Sequence, residues 1–188
     1  MGLIKAIITD FDGTLVNTFK ANYLAYKNAF KQYGYELTEE QYKECFGLRY
    51  DGLCDRMHIK EEDRKKIKEL KKNIYPNYFE YLGLNMNLLT FIKASRLIYG
   101  IKTCIASTAS RENLYNVLRY FNIEEYFDII ITGENVSKGK PNPEVYLKAM
   151  NTLEVEPEES LVFEDSEIGL EAAENAGVNY IRIKNYNN

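Results

Sequence analysis

IITDFDGTLVNT, residues 7–18, carries an apolar run straight into two acids set two positions apart, Asp10 and Asp12. In an extended backbone residues i and i+2 face the same way, so the two carboxylates converge while Phe11 turns toward the interior. Anions this close repel one another unless a cation, a proton or a reaction makes use of them. A short buried strand ending in paired acids suits the carboxyl edge of an open parallel sheet, where such sheets place their sites.

The chain beyond residue 100 supplies the rest of that sheet. GIKTCIAS, FDIIIT, SLVFED and NYIRI read as strands, alternating with the helical patterns SRENLYNVLRYF, NPEVYLKAM and SEIGLEAAENAG. With the first strand at residues 4–10 this makes about five strands. Asn142 is placed to cap a helix with Pro143 at its first position, and Ser110 and Ser166 hold similar N-cap places. Gly177 follows EAAENA where a left-handed C-terminal residue belongs. The expected fold is α/β, a doubly wound, Rossmann-like parallel sheet with an inserted small α-helical cap. Residues 1–16 and 83–188 form the core domain and 17–82 the cap.

The insertion is helical in pattern. Tyr23, Tyr26, Ala29, Phe30 and Tyr33 recur at three- and four-residue intervals. Thr38 and Gln41 are spaced as a capping box, and Pro76 is expected to kink or end a long charged helix. Residues 18–82 hold 13 Lys+Arg against 11 Asp+Glu within a chain of net charge −4, so the cap is the more cationic lobe, suited to an anionic substrate. Nine of the 16 tyrosines fall in the cap, where helical spacing makes packing their default role.

Composition narrows the function. At 188 residues the chain can bury one good core and a small second lobe. A net charge of −4 argues against a nucleic-acid binder, which needs a basic face. No apolar run approaches the ~20 residues that span a bilayer. The N-terminus does not read as a secretory signal, and Ala6 stands where myristoylation requires Ser or Thr. Cys45, Cys54 and Cys104 are odd in number and scattered, as buried hydrophobes of a reducing cytoplasm would be, and a monomer is expected. The single histidine, His58, reads as a surface or packing residue, so chemistry must run on carboxylates, lysines and hydroxyls.

Strand ends gather the candidates: Asp10 and Asp12, then Ser107, then Lys140 in SKGKPNPE, then Glu164 and Asp165. Magnesium-dependent phosphoryl transfer makes sense of them all. Asp10 attacks phosphorus and forms an aspartyl phosphate, splitting one difficult displacement into two easier steps. Mg²⁺, which favours hard oxygen ligands, is held by Asp10, the backbone carbonyl of Asp12, Glu164 and Asp165. Ser107 bonds a phosphoryl oxygen, with Thr108 as the alternative hydroxyl, and Lys140 offsets charge. Asp12 protonates the leaving oxygen and later deprotonates the attacking water. Glu164 and Asp165 have a rival role as helix caps, which Ser166 can perform in their place.

DFDGTLVNT, the strand ending in Ser107, Lys140 before Pro141, and FEDSEIGLEAAENAG resemble the four ordered motifs of the haloacid dehalogenase-like hydrolases. More narrowly, they are similar to the subgroup containing β-phosphoglucomutases and small sugar-phosphate phosphatases. The resemblance implies Mg²⁺, an aspartyl-phosphate intermediate and a cap that opens and closes over a small phosphorylated metabolite. Arg49 in FGLRYDGL can grip a second phosphate or sugar oxygens through its guanidinium fork, Lys72 resembles a substrate-facing residue of the mutases, and Thr14, Asn22 and Thr108 are further candidate substrate contacts. Two departures stand out. Asn22 occupies the position where the mutases carry a histidine, which favours phosphatase over the alternative, a β-phosphoglucomutase-type mutase. GLNMNLL replaces the usual Pro-Gly before the helix that leads to the second motif, leaving the second cap hinge undefined.

Overall fold

The computed structural model describes residues 3–184. These divide into two compact units, one of residues 1–17 and 83–188 and one of residues 18–82. The first unit is built on β1 (Ala6–Thr9), β2 (Val16–Asn17), β3 (Gly83–Leu84), β4 (Lys102–Ala106), β5 (Ile129–Ile131), β6 (Ser160–Glu164) and β7 (Asn179–Arg182). Five of these form one sheet in the order β5-β4-β1-β6-β7, with every pairing parallel. The chain moves outward from β1 through β4 to β5, then returns to the other side of β1 for β6 and β7. The order of winding therefore reverses at β1, which is the crevice where sheets of this kind bind ligands.

β2 and β3 form a separate antiparallel ribbon, with Val16 opposite Leu84 and Asn17 opposite Gly83. Asn17 thus belongs with the sheet unit, and the chain departs from and returns to neighbouring strands.

The second unit contains α1 (Phe19–Gln32), α2 (Glu39–Cys45), α3 (Tyr50–Arg56) and α4 (Glu61–Ile74), followed by a 3-10 run over Tyr75–Tyr81. The Thr38–Gln41 capping box is present, and α4 ends just before Pro76. Tyr23, Ala29, Phe30, Tyr42, Leu53 and Ile67 share its buried core, which gives the periodic aromatics their packing role. His58 is exposed in a left-handed turn, with φ 52°. Cys45, Cys54 and Cys104 are free and buried.

The sheet is covered by α5 (Met86–Tyr99), α6 (Arg111–Phe121), α7 (Glu144–Leu153) and α8 (Glu167–Asn175). Ala6, Ile8, Cys104, Ala106 and Val162 pack with Tyr146, Ala149 and Met150 of α7 and Ala172 and Ala173 of α8. Phe163 points to the opposite face, where its ring meets that of Phe91 of α5 at 5.7 Å. Two helix starts differ from the sequence reading. The Ser110 side chain makes no capping bond, because Glu134 accepts the Arg111 N–H at 2.8 and 3.1 Å and satisfies that helix end instead. Asn142 does bond the start of α7, accepting the Glu144 N–H at 3.1 Å, but Pro143 is the cap residue and not the first helical one. Asn85 stands in for the missing Pro-Gly. Its side chain accepts the Leu88 N–H at 3.1 Å, donates to the Thr14 carbonyl at 3.1 Å, and so ties α5 to the loop after β1. No helix among the described residues is long and apolar enough to cross a membrane.

Candidate active site

β1 lies between β4 and β6, so residues just past the ends of these three strands meet although the chain separates them widely. The Asp10 N–H donates to the Phe163 carbonyl at 2.9 Å, extending the parallel ladder one residue beyond β1. The Ser107 N–H donates to the Ile131 carbonyl at 3.0 Å and does the same beyond β4. Glu164 ends β6, and Asp165 follows. Phe11 is buried, as alternation requires, while Asp12 is half-buried.

Lys140 arrives on the loop between β5 and α7. That loop is held from its own helix: Glu144 accepts the Ser137 N–H at 2.8 Å, the Ser137 hydroxyl at 2.7 Å and the Lys138 N–H at 2.9 Å. The ammonium then reaches inward to bridge two acids, donating to Asp10 Oδ1 and to Glu164 Oε2, the latter at 2.7 Å. Its side chain is only 5% exposed. Burial by itself would lower the Lys140 pKa, but Asp10, Tyr146 and Glu164 hold it well above the usual lysine value. Lys140 is therefore a fixed cation.

Glu164 is the most heavily bonded group in the site. Oε1 accepts the Asp165 N–H at 3.1 Å, the Ser166 N–H at 3.0 Å and the Ser166 hydroxyl at 2.8 Å. Oε2 accepts the Tyr146 hydroxyl at 2.5 Å besides Lys140. Burial opposes its ionisation, yet Lys140 and these donors bring its pKa below the ordinary carboxylate value. Ser166 also caps α8 by accepting the Gly169 N–H at 3.1 Å.

Asp10 and Asp165 are poorer in donors and behave in the opposite way. Burial first, then the Glu164 charge, pushes Asp10 well above its ordinary value against the pull of Lys140. Burial lifts Asp165 to about 6, against the Thr14 hydroxyl that donates to its Oδ1 at 2.7 Å. Asp10, Glu164 and Asp165 each offer a carboxylate oxygen within 4.8 Å of the others. Three acids against one lysine leave an excess of negative charge in a buried place, and a hard divalent cation fits such an oxygen-only set. Gly13 makes room for the Asp165 carboxylate. Its φ is +96°, and a Cβ there would lie 2.3 Å from Asp165 Oδ2.

The remaining sequence candidates divide. The Ser107 Oγ accepts the Ala109 N–H at 3.0 Å and keeps its own proton to donate, whereas Thr108 is half-buried beside it. The Asp12 carboxylate is not among the three clustered acids. Thr14 is corrected from a substrate contact to a support of Asp165, since it is fully buried with its hydroxyl committed there. Asn22, Arg49 and Lys72 lie in the inserted unit. Asn22 accepts the Lys71 ammonium at 2.7 Å, Arg49 is the half-buried residue preceding α3, and Lys72 lies 3.8 Å from Glu69 on its own helix. The sequence reading missed Tyr146, the Glu144 clamp and Gly169, where a Cβ would meet Glu164 Cδ at 2.0 Å. A glycine inside a helical pattern was the one available signal, because it costs helix stability unless something needs the space.

Comparison with known proteins gives a consistent set. The sequence profile described as "Haloacid dehalogenase-like hydrolase" matches residues 7–183. The phosphorylated carbohydrates phosphatase of Thermotoga maritima is 35% identical over 185 residues, covering 95% of this chain and 84% of its own. The structure of CbbY from Rhodobacter sphaeroides in complex with phosphate superposes with a TM-score of 0.83 at 27% identity, covering 96% of this chain and 86% of its own. The fold is shared as well with β-phosphoglucomutase from Clostridium difficile, with a TM-score of 0.84 at 24% identity, covering 99% of this chain and 87% of its own.

Proposed function

Since the chain belongs to the haloacid dehalogenase-like hydrolases, we propose that it is a phosphatase that removes the phosphoryl group from a small phosphorylated metabolite, a sugar phosphate foremost, by way of Asp10. The observation that carries this reading is the buried Lys140 ammonium bridging Asp10 and Glu164 at the point where the sheet reverses its winding. The named activity of the Thermotoga relative supports the substrate class.

A carboxylate oxygen of Asp10 attacks phosphorus, and the bond from phosphorus to the leaving oxygen breaks. Asp12 gives its proton to that oxygen, so that an alcohol departs. Water then attacks the phosphorus of the aspartyl phosphate, Asp12 takes its proton, and Asp10 and inorganic phosphate are released. Lys140 holds Asp10 by Oδ1 and offsets charge gathering on the transferring group. Ser107 donates its remaining proton to a phosphoryl oxygen. Asp10, Asp165 and the Asp12 carbonyl would hold Mg²⁺, with Glu164 beside them, and a bound ion would offset the repulsion between anionic nucleophile and anionic substrate. Asn22 weighs against a mutase, because an amide committed to Lys71 does not shuttle protons as an imidazole does.

Purified protein is expected to release phosphate from some members of a sugar-phosphate panel with Mg²⁺ and from none with chelator present. The Asp10→Asn variant is expected to release none. Turnover that survives both chelation and Asp10→Asn would refute the assignment.

A further inference from the structure

Tyr146 lies wholly buried in the apolar layer under the sheet, among alanines, valines and Met150. A phenylalanine would fill that slot equally well, so packing explains the ring and leaves the hydroxyl unexplained. A buried hydroxyl is costly without a partner, and this one spends its proton on Glu164 Oε2 at 2.5 Å. Its ring also faces the Lys140 ammonium, 5.0 Å from the centroid. One side chain therefore touches both the acid and the lysine of the site.

A carboxylate has about four lone-pair positions on its two oxygens. Glu164 already accepts from the Asp165 and Ser166 backbones and the Ser166 hydroxyl on Oε1, and from Lys140 and Tyr146 on Oε2. Five donors for about four positions leave a metal ion to compete with a bound hydrogen on either oxygen. The Glu164 carboxylate fills the space that a glycine at position 169 leaves open, and swinging toward a metal would break the bonds that hold it there. Asp165, by contrast, has the Thr14 hydroxyl on one oxygen.

We infer that Tyr146 is a positioning residue of the reaction: its hydroxyl completes the donors around Glu164, so that Glu164 steers Lys140 onto Asp10 instead of coordinating the metal. This rests on the phosphatase reading and revises the expectation that Glu164 is a ligand. Lys140 is shared between Asp10 and Glu164. Taking the phenol away strengthens Glu164 as an acceptor and draws the ammonium from the nucleophile.

The test pairs phosphate-release kinetics with calorimetric titration of Mg²⁺ in the absence of substrate. Tyr146→Phe is expected to lower kcat about tenfold, with KM and the Mg²⁺ dissociation constant within about twofold of the parent. An unchanged kcat overturns the inference, and so does a rise in KM or weakened Mg²⁺ binding that accounts for the loss. Glu164→Gln is expected to bind Mg²⁺ at least about tenfold more tightly than Asp165→Asn does, and equal losses in the two also overturn it. If the unmodified protein releases no phosphate from any substrate, the phosphatase reading fails, and the calorimetric comparison still decides whether Glu164 is a ligand.

Discussion

Gly169 stands in the first turn of α8, where a glycine would ordinarily weaken the helix by ~1 kcal/mol relative to alanine. Gly169→Ala should therefore stabilise the protein if helix propensity decides. The space argues otherwise: the new Cβ would lie 2.0 Å from Glu164 Cδ and 2.1 Å from Oε2. Because Glu164 is held by donors on every side, it cannot yield cheaply, and we expect a loss of about 1–3 kcal/mol together with reduced turnover. Urea denaturation and phosphate release check the two halves, and a more stable, fully active variant would show that Glu164 is not pinned. At this scale the sequence was partly legible. Asp10, Glu164 and Asp165 are brought together as their strand-end positions suggest, with Lys140 reaching them from the loop after β5, because alternation is a local rule and parallel sheets gather their sites at the carboxyl ends of strands. Thr14 on Asp165 and Tyr146 on Glu164 were not legible. Each is a single bond between distant parts of the chain, and Tyr146 sits in an apolar period that reads as core.

The loop from β5 to α7 shows how an element holds a reactive residue without touching it. Glu144, at the start of the helix, gathers Ser137 and Lys138 and so anchors the segment that carries Lys140. The backbone N–H of Ser137, its hydroxyl and the Lys138 N–H bring the Glu144 pKa down to about 2 from an ordinary 4.5. A carboxylate depressed on folding contributes stability that is fully present above its unfolded pKa and lost as pH falls through the folded one. Glu144→Gln should therefore melt below the parent at neutral pH, with the gap narrowing as pH falls from 4.5 toward 2. Melting temperatures at neutral and acid pH measure this, and a gap that is constant with pH would remove the charge from the explanation. Elements were more legible than their ends. Periodicity marked the core helices and the Thr38 capping box, since both signals lie within a few residues. The start of α5 escaped, because Asn85 also bonds the loop after β1, and at α6 Ser110 is the N-cap residue as read but the Arg111 N–H is satisfied by Glu134 from another loop.

At the scale of the molecule, every residue assigned to the chemistry lies in the unit of residues 1–17 and 83–188. The insertion has its own buried core. Asn17 and Gly83 already pair across an antiparallel ribbon, so a turn of about two to four residues can join them directly. A chain in which such a turn replaces residues 18–82 is expected to keep a cooperative melt and to bind Mg²⁺. Circular dichroism and calorimetry test this, and a chain that fails to melt cooperatively would show the sheet unit to depend on the insertion. The pairing of Asn17 with Gly83 bears equally on the order of folding. Before β1 can meet β4, the ends of a long stretch of chain must be brought together, and this entropy of closure slows non-local pairing. Once the inserted helices have condensed around their own aromatics, the two ends of that stretch are delivered close together and the remaining closure is short. If the inserted helices condense first, the insertion acts as a clasp in time, gathering the first strand and its successor before the sheet exists.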